Sequence, residues 1–92
     1  MIKSYKMDIK KKTWPKYFQE ILDGKKKFEI RLADFDISEG DVLVLEEYDP
    51  EKKEYTGRVL KKKVNFITKF NPTEMNDIED MKKFGLYGIG IE

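Results

Sequence analysis

The sequence contains no cysteine and no histidine. The first absence excludes disulfides, a thiolate nucleophile and any cysteine-built zinc site. The second excludes a Ser-His-Asp triad, an imidazole general base and the commonest transition-metal ligand. Arginine is scarce, with only Arg31 and Arg58, and there is a single tryptophan, Trp14. Long hydrophobic runs are missing as well: the longest, Val42-Leu43-Val44-Leu45, is far too short to cross a bilayer. The first 24 residues carry six lysines and no apolar stretch of signal length, so the expected location is the cytoplasm, with no membrane association. No EF-hand or P-loop spacing occurs, and neither a metal nor a cofactor is expected. Any catalysis would run on Lys, Asp, Glu, Tyr, Ser or Thr side chains.

What remains is a chain of 92 residues with 39% hydrophobic, 13% aromatic and 40% charged side chains. That balance describes one folded domain, 1–92, with one modest core and a charged shell, expected as a monomer. The net charge of +1 conceals strong patterning. Residues 1–33 carry a balance of +6, residues 34–58 carry −6, residues 59–73 hold four lysines and no acid, and residues 74–92 come to −3. Three Lys-Lys-Lys runs, at 10–12, 25–27 and 61–63, dominate the basic blocks. Each run by itself reads as a solvated turn or strand edge, whereas runs that converge in space would form a phosphate-attracting patch.

Alternation of Tyr5, Met7 and Ile9 with polar residues predicts a first strand. Thr13 reads as a helix N-cap and Pro15 falls in the first turn. Trp14, Tyr17, Phe18, Ile21 and Leu22 then recur at helical spacing, predicting a helix over about 14–23 that ends at Gly24 in a left-handed cap. Phe28 and Ile30 alternate with Lys27, Glu29 and Arg31 on a second strand, the apolar pair expected to face the core. Val42 to Leu45 reads as a strand buried on both faces. Asp49 to Glu54 is a charged hairpin connection, and Tyr55 to Thr68 one long bent strand or two. Thr73 to Lys83 reads as a short acidic helix with Met75, Ile78 and Met81 three apart. Leu86 to Ile91 closes the chain as a strand, with Tyr87, Ile89 and Ile91 on one face. Gly88 and Gly90 share the other, where a backbone or a ligand can come close. The order β-α-β-β-β-(α)-β points to an α+β domain, a small curled, mostly antiparallel sheet or barrel with a helix plugging one side.

One constellation stands out: Gly24-Lys25-Lys26-Lys27-Phe28-Glu29-Ile30-Arg31. Glu29 and Arg31 lie two apart on a strand, about 6.5–7 Å between Cα atoms, close enough to interact. They read either as a surface ion pair contributing at most about 1 kcal/mol or as a polar clamp at a cleft edge, with Arg31 as a forked donor to phosphate or a base edge.

Gly24, Lys26, Glu29 and Arg31 match Gly-x-Lys-x-x-Glu-x-Arg, and the chain resembles the ASCH domain family of the PUA-like superfamily on that signature. Trp14-Pro15-Lys16-Tyr17-Phe18, the Phe35–Asp41 segment, Tyr55-Thr56-Gly57-Arg58 and Leu86–Ile91 are similar, in order, to segments of a small uncharacterised ASCH-like branch. The resemblance implies a PUA-like β-barrel with a cleft between barrel and helix, lined by the signature residues and binding RNA or a nucleotide-like ligand. Some ASCH-like proteins are amidohydrolases acting on N4-acetylcytidine, with a lysine at the position of Lys26, a threonine at that of Glu29 and a later glutamate. This chain has Glu29 in place of the threonine, and Glu74 or Glu79 is the candidate for the last.

Trp14 and Tyr17 read as core residues of the helix; alternatively Trp14, at the helix start, lines the cleft and stacks on a base. Arg58 reads as solvated, or as a phosphate contact opposite Arg31. Glu46 and Glu47 read as part of an acidic face rather than metal ligands. Three functions follow. The first is an RNA-binding or modified-nucleotide-binding module, with Lys26, Glu29 and Arg31 in the cleft and Lys25, Lys27 and the 61–63 run attracting phosphate. The second is an amidohydrolase on acetylcytidine-type nucleosides using Lys26 and Glu29. The third is a protein-interaction module presenting acidic residues 34–58 to a basic partner.

Overall fold

In the computed structural model, which describes residues 6–71 and 83–92, one helix leans on a five-stranded mixed sheet. The strands are β1 (Asp8–Thr13), β2 (Phe28–Leu32), β3 (Val42–Asp49), β4 (Glu54–Phe70) and β5 (Leu86–Ile91), and the helix is α1 (Pro15–Leu22). The sheet order is β1-β3-β4-β5-β2. Only β1 and β3 run parallel, with Asp8 opposite Val42 and Thr13 opposite Glu47; the other three pairs are antiparallel. The 17-residue β4 serves two neighbours in turn: its first part pairs with β3 up to Lys63, and from Val64 onward it pairs with β5 across a register shift. That irregularity lets one strand bend the sheet around a single core.

The core forms where the apolar faces meet. Leu43 and Leu45 of β3, Val64 of β4, Ile89 and Ile91 of β5 and Ile21 of α1 are all at most 3% exposed and in mutual contact. Val44 is also buried, so β3 is covered on both faces as its continuous apolar run predicts. Asp41, fully buried, fastens the entry to β3: its two carboxylate oxygens accept hydrogen bonds from the Met7 and Ser38 amides, and its carbonyl accepts one from Val64 N–H.

Two helix signals behave differently from expectation. Thr13 is not the N-cap. It ends β1 with its side chain buried, and Trp14 takes the cap position with no side-chain cap bond. Gly24 ends the helix as expected, at φ +76°, donating to the Ile21 carbonyl, while Lys25 and Lys26 N–H both donate to the Glu20 carbonyl. Of the helix's apolar stripe, only Phe18 and Ile21 are buried; Trp14, Tyr17 and Leu22 are exposed.

Two further expectations are corrected. The sheet is not a closed barrel: β1 and β2 are its two edges and share no ladder. The phase of β2 is also reversed. Glu29 is buried, and Phe28 and Ile30 are more than half exposed. The cause is the register with β5, in which Glu29 stands opposite Ile89 while Phe28 and Ile30 stand opposite Gly90 and Gly88. Residues directly opposite share a face. Ile89 and Ile91 must enter the core, so Glu29 enters with them and Phe28 follows the glycines outward. The short helix expected over 73–83, with Glu74 and Glu79, falls, apart from Lys83, outside the described residues.

At the glycine face the side chains of the neighbouring β4 come close. A Cβ on Gly90 would collide with the Asn65 side chain and crowd the Phe66 Cβ, and one on Gly88 would meet the Thr68 methyl at 3.1 Å. Gly90→Ala is therefore expected to lower stability by about 1–3 kcal/mol, read as a lower denaturant midpoint at unchanged slope.

Candidate functional site

The open seam between β1 and β2 becomes the site. A cleft of about 490 Å³ lies between the end of β1, the start of α1 and β2. This falls within the usual range for small-ligand sites. Trp14 at the N-cap of α1, Tyr17 within it, and Phe28 and Ile30 from β2 line it with exposed apolar surface. Lys26, Glu29, Arg31 and Thr13 supply its polar groups.

Those polar groups form a connected chain. Arg31 Nε donates to Glu29 Oε2 at 2.8 Å. Arg31 Nη1 donates to the Lys12 carbonyl at 2.9 Å and Nη2 to Thr13 Oγ1 at 3.2 Å. The guanidinium thus bridges the two edge strands where no backbone ladder does. Lys26 Nζ stands 3.6 Å from Glu29 Oε1, an ion-pair distance, and lies over the Tyr17 and Phe28 rings at 4.7 and 5.6 Å. Glu29 Oε1 is buried and accepts no hydrogen bond among the described residues. A buried carboxylate oxygen in that condition normally has a partner.

Of the residues singled out in the sequence, the structure brings Trp14, Lys26, Glu29 and Arg31 together in the cleft. Arg31 differs from expectation in its engagement: its fork is occupied by Glu29 and the end of β1, so it holds the site's wall and is not a free clamp for phosphate. Lys25 lines an adjoining hollow with Tyr17, Glu20, Lys26 and Phe28. Lys27 lines a further one with Lys62 and Asn65. Arg58 is not in the cleft. Its Nε and Nη2 grip Glu47 at 3.0 and 2.9 Å, Nη2 also donates to Gln19 Oε1, and the guanidinium stacks 4.8 Å from the Phe18 ring. Glu47 is accordingly a buried carboxylate paired with the exposed Arg58, and not part of a solvated acidic face. The residues that sequence reasoning missed are Thr13, read as a cap, and Tyr17, Phe28 and Ile30, read as core. The outward turn of Phe28 and Ile30 follows from the β2–β5 register, which no local pattern encodes.

The lysine runs part company. Those at 25–27 and 61–63 adjoin, through Lys27 and Lys62. The run at 10–12 is engaged elsewhere: Lys11 Nζ lies 3.6 Å over the Phe35 ring and Lys12 Nζ 4.3 Å over Tyr48. Burial lowers the Lys11 pKa, opposed by the nearby Asp34 charge and assisted by Arg31. Among the described residues no cluster of acids is placed to hold a metal ion, and no helix is long and apolar enough to cross a membrane.

Fold and site together define a small α+β domain with an open mixed sheet and an aromatic cleft at its seam. The chain matches the family model described as a domain of unknown function, DUF3850, over residues 9–78, and it belongs to that family. A solved structure described as hypothetical protein PH0355 is similar at 24% identity with a TM-score of 0.68, covering 96% of this chain and 98% of that one, a likeness of fold. No curated protein matches.

Two outcomes test this geometry. Arg31→Ala leaves the buried Glu29 without its hydrogen-bonded cation and unties β1 from β2, so a loss of about 3 kcal/mol is expected in chemical denaturation. Arg31→Lys should recover little of it, because an ammonium cannot span three acceptors as the fork does. Hydrogen bonds from Arg58, then from Thr56, lower the Glu47 pKa, although burial opposes them. Its contribution to stability is therefore complete above the ordinary glutamate value of about 4.3 and is lost as pH falls through the lowered native value. The denaturant midpoint should drop over that acid range in the parent protein and drop less in Glu47→Gln.

Proposed function

We propose that the cleft binds RNA or a modified nucleotide, and that the domain is an ASCH-like member of the PUA-like superfamily. The observation that carries this reading is the buried Glu29 carboxylate, lining a cleft walled by aromatic rings, whose Oε1 accepts no hydrogen bond among the described residues. A carboxylate oxygen in that position calls for an N–H donor on the ligand, such as an exocyclic amine or ring N–H of a base. Trp14, Tyr17 and Phe28 offer π-faces to a planar heterocycle, each stack contributing about 1–3 kcal/mol. Lys26, at the cleft's edge, supplies positive charge for an attached phosphate. The Gly24, Lys26, Glu29 and Arg31 signature agrees with this assignment, with Arg31 acting as the support that positions Glu29.

A second reading is favoured by the 3.6 Å approach of Lys26 Nζ to Glu29 Oε1 in the same cleft. A lysine beside a carboxylate is a proton-transfer pair, and a small amidohydrolase acting on N4-acetylcytidine would use it. That activity predicts release of acetate from acetylcytidine, abolished by Lys26→Ala.

The binding reading is tested by titrating the protein with tRNA and with a short single-stranded RNA at low and moderate salt, following Trp14 fluorescence. Saturable quenching that weakens with salt is expected. Glu29→Gln, which keeps an oxygen for Arg31 to bond, should stay folded by circular dichroism and lose about ten-fold in affinity, the scale of one charged hydrogen bond. Absence of quenching at low salt would remove the proposal.

A further inference from the structure

The cleft does not end at Lys26. Three hollows adjoin one another around that side chain. The main cleft and the second hollow share Tyr17, Lys26 and Phe28, and the second is extended by Lys25 and Glu20. The third, of about 280 Å³, shares Lys26 and continues past Lys27 to Lys62 and Asn65 on β4 and Glu92 beyond β5. Along this path the character changes. The first part presents exposed rings of Trp14, Tyr17 and Phe28. The last part presents three lysines, Lys26, Lys27 and Lys62, against one carboxylate side chain, Glu92. No single nucleotide needs both parts, since one base and its phosphate are satisfied within the cleft.

We infer that the site takes a single strand of several nucleotides, entering the aromatic cleft at Trp14 and passing Lys25 and Lys26 to leave over Lys27 and Lys62. This rests on the nucleotide-binding reading above and specifies its ligand. Stacking platforms followed by a cationic groove are how sequence-tolerant single-strand sites are built. A duplex presents its bases stacked and paired and cannot place them on the Trp14, Tyr17 and Phe28 faces. Lys62 is the diagnostic residue. It comes from the run at 61–63, far in sequence from the signature segment, and it lies outside the main cleft.

The experiment compares a dinucleotide, a hexanucleotide and a hairpin duplex of RNA across a salt series, with the whole protein and with Lys62→Ala. Binding is read by fluorescence anisotropy of labelled RNA, and the thermal midpoint of the variant is checked against the parent. The hexanucleotide should bind more tightly and with a steeper salt dependence than the dinucleotide. Lys62→Ala should weaken only the hexanucleotide, about five-fold, on the scale of one exposed charge contact. It should also shallow the slope of log affinity against log salt by about 0.7, the single-strand value for one phosphate. Equal binding of dinucleotide and hexanucleotide, or a hexanucleotide indifferent to Lys62→Ala, would overturn the extended path while leaving the one-nucleotide cleft intact. Tighter binding of the hairpin would overturn the single-strand assignment. Failure of every RNA to bind would overturn the underlying reading as well.

Discussion

A carboxylate inside the sheet has to be answered by a cation, and the rest of the site is arranged around that requirement. Glu29 sits on the core face of β2 opposite Ile89. Arg31, two residues on and on the same face, neutralises it and then uses its remaining fork on the end of β1. One guanidinium therefore both settles a buried charge and joins two strands that lack a ladder. A pair of this kind adds little net stability compared with a well-packed apolar substitute, but breaking it is costly. It is better understood as a device of position: it holds the wall of a cleft at a defined spacing and leaves the second Glu29 oxygen turned toward Lys26.

The same geometry explains why so much apolar surface is left outside. With Ile89 and Ile91 committed inward, the opposite face of β5 carries only Gly88 and Gly90 at its centre. Phe28 and Ile30 on one side and Phe66 on the other rise above this low strip, all more than half exposed. Trp14 and Tyr17 add to the exposed aromatic surface from α1. Large exposed rings are uncommon on a small domain without a partner, and here Trp14, Tyr17 and Phe28 sit beside the only arginine that joins two edge strands. Arg58, by contrast, is consumed by Glu47, Gln19 and Phe18 and fixes α1 against the β3–β4 hairpin.

Much of the secondary structure was legible residue by residue. Pro15 and Gly24 bracket the helix within a residue or two of Pro15–Leu22, because a fixed φ and a left-handed cap are local properties. The Val42–Leu45 run, the Asp49 turn and the bend in the long strand were likewise visible. The signature segment pointed to Lys26, Glu29 and Arg31 as a group, and they are one. What misled was the inference that polar residues of an alternating strand face outward, which inverted Phe28 and Ile30. Thr13 misled in the same way: its hydroxyl suits a helix cap, yet an arginine from another strand claims it.

Sequence by itself determined the order of the described strands and the first helix, the limits of that helix, the doubly buried strand and the exclusion of thiol, imidazole and disulfide chemistry, since each depends on composition or on neighbours within a few residues. Tertiary structure decided three things. It opened the sheet between β1 and β2, chose which face of β2 is the inside, and brought Lys27 and Lys62 together while sending Lys11 and Lys12 to aromatic rings. The first turns on strand order and the others on strand register, and both are relations between distant segments. A shift of one residue exchanges the two faces of a strand while leaving every local preference satisfied.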